Sequence, residues 1–180
     1  MSTFRQKYKG DIVLGTSVMV SDPCYSIGTW CQGVVGNVVP GTYKCYVEHC
    51  QDSFWGDRVS AIEVVHADYN HSELDYVETN FEVGVDSGQA GIFNYNYYKK
   101  YHEDDNGHKR LNDDWYDKVC GLTSTKDGFA GNTIDNNGLV SSSGYGDGMY
   151  WCYISHDQNE NVIAIRVDFI YEDDEEDESV

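Results

Sequence analysis

The sequence predicts an α+β fold, predominantly antiparallel β, arranged as a twisted sheet or sandwich with one or two short inserted helices. Three observations carry this reading. Val (19) and Tyr (15) outnumber Leu (5) and Ala (5), a balance that favours strands over helices. Short β-branched or alternating runs, separated by Gly, Asn and Pro turns, cover most of the chain. Helical spacing is confined to the stretch between residues 94 and 122. The 180 residues are 40% hydrophobic, enough for one core, so a single β-rich domain over 1–171 followed by an acidic tail over 172–180 is expected.

Taken in order, residues 11–20 are β-rich and are broken by Ser21-Asp22-Pro23-Cys24, because Pro lacks an amide donor and its predecessor avoids the helical region. Residues 33–39 and 42–49 flank Pro40-Gly41, a turn dipeptide that predicts a hairpin. Residues 58–66 read as a strand with one wet face at its start, and another strand runs from near Phe81 to Asp86. Residues 94–105 are crowded with Tyr, Lys and His, while Leu111, Trp115, Val119 and Leu122 recur at helical spacing. Residues 127–148, rich in Gly, Ser and Asn, predict a long loop or a set of tight turns. Residues 149–155 and 162–171 bracket the polar 156–161, as an antiparallel pair does.

The net charge of −19, from 31 acidic and 12 basic residues, argues against direct contact with nucleic acid or an anionic membrane and for a basic partner. Glu172, Asp173, Asp174, Glu175, Glu176, Asp177 and Glu178 supply seven of those carboxylates, leaving 24 acidic against 12 basic residues in the body. Solubility alone is the plain alternative use of such charge. No apolar run approaches the ~20 residues of a membrane span, and residues 1–9 lead into no export signal, so a cytoplasmic location and reduced cysteines are expected. The six cysteines form no C-x-x-C unit, so no metal or other cofactor is expected.

Four stretches place an Asp at a strand end or turn: Ser21-Asp22-Pro23-Cys24-Tyr25, Val85-Asp86-Ser87-Gly88-Gln89-Ala90-Gly91, Ser143-Gly144-Tyr145-Gly146-Asp147-Gly148-Met149-Tyr150, and Arg166-Val167-Asp168-Phe169. In this combination the chain resembles a little-characterised phage and bacterial family of unknown function, with its S-D-P-C, V-D-x-G-x-x-G and G-D-G-x-Y motifs. The resemblance spans roughly residues 17 to 170. It implies a phage or bacterial accessory protein with a shared β-rich fold, and it supplies no reaction.

Read physically, an Asp before Ser-Gly or Gly is a turn residue, its carboxylate accepting local amide protons. The sharper alternative is that Asp22, Asp86, Asp147 and Asp168 converge, with Cys24 and Tyr150 beside them, into a ligand or metal cluster or an acid–base pair. Residues 157–161 match the start of an EF-hand, but Val162 stands where Gly is required. Asp135-Asn136-Asn137-Gly138 reads as a type I′ or related turn. There is no nucleophile elbow and no phosphate loop. Tyr95, Tyr97, Tyr98 and Tyr101, interleaved with Lys99 and Lys100, form the one locally basic aromatic patch and are the expected partner-binding residues together with the tail acids.

These readings lead to a non-enzymatic acidic phage accessory protein in the host cytoplasm. It would bind a basic host protein, itself a nucleic-acid binder, and inhibit or redirect it, in the extreme as a DNA mimic. Two alternatives stay open: a small metal-dependent hydrolase or ligand-binding protein using the Asp cluster, and a structural or assembly component.

Overall fold

The computed structural model describes residues 3–103, 113–126 and 128–171. Among these, antiparallel strands form two main sheets with two helices. The first sheet has the order β1-β4-β5-β13-β12-β6, built from β1 (Thr3–Leu14), β4 (Gly41–Asp52), β5 (Gly56–His66), β6 (Tyr76–Val85), β12 (Gly148–His156) and β13 (Val162–Asp168). The second has the order β10-β11-β7-β2-β3, from β2 (Val18–Ser21), β3 (Gly33–Val35), β7 (Gln89–Asn94), β10 (Gly131–Ile134) and β11 (Gly138–Ser142). A small pair, β8 (Ser124–Thr125) and β9 (Gly128–Phe129), follows the helices.

The two sheets face each other across one apolar layer to which both contribute, with Ile12, Cys45, Val47, Ile62, Val64, Val83, Ile165 and Val167 from the first and Val18, Val20, Ala90, Ile92 and Leu139 from the second. Because side chains alternate along a strand, Met19, Phe93 and Val140 point the other way, where they meet Tyr98, Trp115 and Val119 of the helices. The second sheet is therefore covered on both faces, and its strands β2 and β11 are buried throughout. The first sheet keeps an outer face, and β4 alternates accordingly, with Tyr43, Cys45 and Val47 inward and Lys44, Tyr46 and Glu48 outward.

Helix α1 (Tyr95–His102) starts at Asn94, whose side chain accepts the Asn96 amide, the usual device for an orphan N-terminal donor. Helix α2 (Asp113–Thr123) buries Trp115 and Val119, two of the predicted series, together with Thr123, while Leu122 is half-buried against the same cluster. Leu111, the first of the predicted series, lies outside the described residues.

Three expectations are corrected. Residues 11–20 are two strands on different sheets, parted at Gly15-Thr16-Ser17, whose Thr16 and Ser17 carbonyls accept the amides of Val38 and Tyr95. The predicted hairpin around Pro40-Gly41 is instead a crossing between sheets: Val39 donates to the Val162 carbonyl, and β4 begins at Gly41 on the other sheet. The predicted loop over 127–148 contains β10 and β11. Gly131 and Gly138 are strand residues there because a methyl group would meet Val47 Cγ2 at 2.8 Å and Phe93 Cδ1 at 2.6 Å, so these glycines mark close packing rather than looseness. The turn between β10 and β11 is type I′ as expected, with Asp135 at φ 47° and Asn136 at φ 55° and the Asn137 amide donating to Ile134.

Candidate functional site

Asp22 lies fully buried at the end of β2. Its Oδ1 accepts the Cys24 amide at 2.8 Å and the Ser87 hydroxyl at 2.8 Å, and its Oδ2 accepts the amides of Asp86 and Ser87, each at 2.9 Å. Four donors saturate the carboxylate. Asp147 grips the same turn from the far side, accepting the Gly88 amide at 3.0 Å, and Gly88 takes φ +70°, which only glycine adopts without cost. Two of the motif aspartates thus act on one turn. Asp86 contributes its amide to Asp22 while its side chain is exposed.

The segment after Asp22 is a docking post for the helices. The Asp22 and Tyr25 carbonyls accept the Tyr98 hydroxyl, and the Pro23 carbonyl accepts Trp115 Nε1 at 2.8 Å and bonds His102 Nε2 at 2.8 Å. His102 Nδ1 faces the Tyr98 carbonyl at 2.8 Å. A neutral ring donates to one of these two carbonyls, and burial pushes the His102 pKa down, the two carbonyls only partly opposing it. Cys24, half-buried here, has its thiol pushed up to about 11 by burial and by Asp22, which leaves little thiolate at neutral pH. All six cysteines are free thiols.

This arrangement changes the reading of the tyrosine patch. Tyr98 is buried, stacked on His102 at 3.8 Å between ring centroids, so it packs the core and is not available to a partner. Tyr97 is half-buried and donates to Asp135 at 2.6 Å, and Tyr101 stacks on Trp115 at 5.0 Å. Helix α1 turns its aromatic side onto α2 and the second sheet. The tail acids Glu172 to Glu178 lie outside the described residues.

The G-D-G-x-Y stretch also closes on itself. Tyr150 donates to the Gly146 and Ser143 carbonyls, and its ring packs edge-on against Phe169 at 5.0 Å.

Asp168 does not join Asp22 and Asp147 in gripping the 86–88 turn. It lies on the outer face of the first sheet, accepting Arg166 Nε at 2.7 Å, while Arg166 Nη2 reaches both Glu48 oxygens at 3.2 Å. On the same face Glu63, 2% exposed, bonds Gln6 Nε2 at 2.9 Å, the Tyr76 hydroxyl at 2.6 Å and His71 Nε2 at 2.6 Å. Burial raises the Asp168 pKa, with Arg166 only partly offsetting it and Glu48 and Glu63 adding to it. Burial would loosen the Arg166 proton, but Asp168, Glu48 and Glu63 outweigh it and hold the cation firmly. Sequence reasoning named Asp168, with Arg166 quoted in the same motif, and missed Glu48 and Glu63; the signal was a charged residue on the outward positions of β4 and β5. Among the described residues, no group of three or more His, Cys, Asp or Glu is placed to hold a metal ion.

A second feature missed by sequence reasoning is the tip of the β4–β5 hairpin. Phe54 and Trp55 are 91% and 64% exposed there. Asp52 accepts both of their amides, at 2.7 and 2.8 Å, and also the Tyr145 hydroxyl at 2.7 Å. These bonds, led by that from Tyr145, hold the Asp52 carboxyl below the usual carboxylate range. The signal in the sequence was a Phe-Trp pair at a turn, where polar residues are the rule.

A protein-family profile described as protein of unknown function (DUF4241) matches residues 15–167, close to the span marked by the four aspartate motifs. No curated protein and no solved structure matches the chain.

Proposed function

The chain belongs to the DUF4241 family of proteins of unknown function, and we propose, from its own chemistry, that it is a non-enzymatic binding protein whose acidic surface docks on a basic protein and blocks or redirects it. The observation that carries this reading is the uncompensated net charge of −19; without the seven tail acids the body still has 24 acidic against 12 basic residues. Such a field steers a basic partner and repels nucleic acid and anionic lipid. Two features weigh against chemistry at the motif aspartates: Asp22 is saturated by four donors, and Asp147 holds a turn amide. In a phage setting the partner is a host protein, and one that itself binds nucleic acid presents the basic groove this surface complements. DNA mimicry is the limiting case.

The test is affinity capture from the native host in a salt series. The captured protein is basic, is released between low and physiological salt, where exposed charges are screened beyond about 8 Å, and is displaced by duplex DNA if the acids mimic phosphates. Capture that is indifferent to salt would leave the charge with solubility as its only use.

A further inference from the structure

On the reading that the partner is basic, we infer that it is engaged through arginine side chains laid on an aromatic platform at the tip of the β4–β5 hairpin, formed by Phe54, Trp55, Tyr145 and Phe129.

The four rings come from three separate segments: the hairpin turn, β9, and the turn between β11 and β12. All are open to solvent, at 91, 64, 54 and 45% for Phe54, Trp55, Tyr145 and Phe129. Exposed aromatics dispersed singly are ordinary; the segments that carry these four are tied to one another. Asp52 ties the hairpin turn to Tyr145 through its three accepted bonds. Arg58 Nε donates to the Trp55 carbonyl at 3.1 Å, and its guanidinium lies 4.1 Å from the centre of the Phe129 ring. Asp52 and Arg58 thus fix the turn backbone, the Tyr145 hydroxyl and one face of Phe129, and leave the Phe54 and Trp55 rings open. A surface pre-ordered in this way loses less freedom on binding, and Trp, Tyr and Arg are the side chains that most often anchor interfaces.

Two observations select the occupant. The net charge of −19 draws cations toward the molecule. The Arg58 guanidinium on Phe129 shows the contact these rings favour: a planar, weakly hydrated cation on an aromatic face, a fit that lysine's compact ammonium matches less well. An anionic bilayer is disfavoured by the same charge.

The test uses the full chain labelled with nitrogen-15 and two probes, nona-arginine and nona-lysine, titrated at equal low salt. Nona-arginine shifts the Trp55 indole and the amides of residues 52–58 and 145, and binds about fivefold more tightly than nona-lysine, the gain expected of one or two exposed cation–π contacts. The double variant Phe54→Ser/Trp55→Ser keeps its melting temperature and loses this preference, whereas Trp30→Ser, at an exposed tryptophan (84%) outside the cluster, keeps it. Equal affinity for both peptides, or shifts spread over the acidic surface with Trp55 silent, overturns the platform and leaves the acidic reading standing. No binding of either peptide overturns the acidic reading itself. Broadening of the tip signals with protein concentration alone assigns the tip to a second copy and also overturns the inference.

Discussion

The two sheets share one apolar layer, yet they differ in what lies on their other side. Helices α1 and α2 cover the five-stranded sheet by laying Tyr98, Trp115 and Val119 on Met19, Phe93 and Val140, whereas the six-stranded sheet turns outward a polar face on which Arg166 joins Glu48 and Asp168 while Glu63 binds Tyr76 and His71. In the covered sheet the motif residues hold structure: Asp22 and Pro23 are acceptors for the turn and the helices. An exposed aromatic pair, Phe54 and Trp55, lies elsewhere, at the tip of the β4–β5 hairpin.

The comparison can be broken by substitution. The largest effect belongs to the covered side: Trp115→Ala removes a buried indole and its bond to Pro23, and chemical unfolding should show a loss of about 3–5 kcal/mol. On the outer face Arg166→Met leaves Glu48 and Asp168 without their cation. The expected loss is about 2–3 kcal/mol, below that of a fully buried pair because the Arg166 side chain is 21% exposed. A loss larger than that of Trp115→Ala would reverse the ranking of the two sides.

A pH series sharpens the same contrast. His102 and His49 have pKa values lowered by burial from 6.5, so the unfolded chain takes up protons near pH 6.5 that the native state refuses. Stability then falls as pH drops through that value, by at most about 1.4 kcal/mol per pH unit for each histidine. Asp168 acts with the opposite sign at lower pH, since the native state keeps a proton that the unfolded chain releases above 3.8. Urea midpoints between pH 7.5 and 4 should show both. The smallest effects fall on the turn itself: Asp147→Asn should cost about 1 kcal/mol through a weakened bond to Gly88. Asp86→Asn should stay within about 0.5 kcal/mol, because Asp22 uses the Asp86 amide and not its carboxylate.

Much of the fold was legible where patterns are local. Alternation in 42–49, the β-branched run in 162–168, the helical spacing of Trp115, Val119 and Leu122, and the Asp135-Asn136 turn all carry their structure in a few adjacent residues. The errors arose where partners are distant. Gly131 and Gly138 read as loop because their packing against Val47 and Phe93 is not written beside them. Pro40-Gly41 carries a turn signal that does not say which sheet comes next. Of the site, only the Asp22 bond to the Cys24 amide is of the local kind expected; Asp22 and Asp147 otherwise hold a turn 59 to 65 residues away, and the burial of Tyr98 depends on carbonyls at 22 and 25 that no spacing rule reaches. The tip platform joins three segments through Asp52 and Arg58, and the Phe-Trp pair was its one local trace.

Asp22 acts as a structural acceptor for the turn that follows β6. Hydrogen exchange of the Asp86 and Ser87 amides tests this role most directly, measured in the wild type and in Asp22→Asn. Both amides belong to a solvent-facing turn and yet should exchange as slowly as those of buried strands, with protection falling on substitution at least tenfold, as loss of about 1.4 kcal/mol or more per charge-assisted bond requires. Fast exchange of these amides in the wild type would contradict the account.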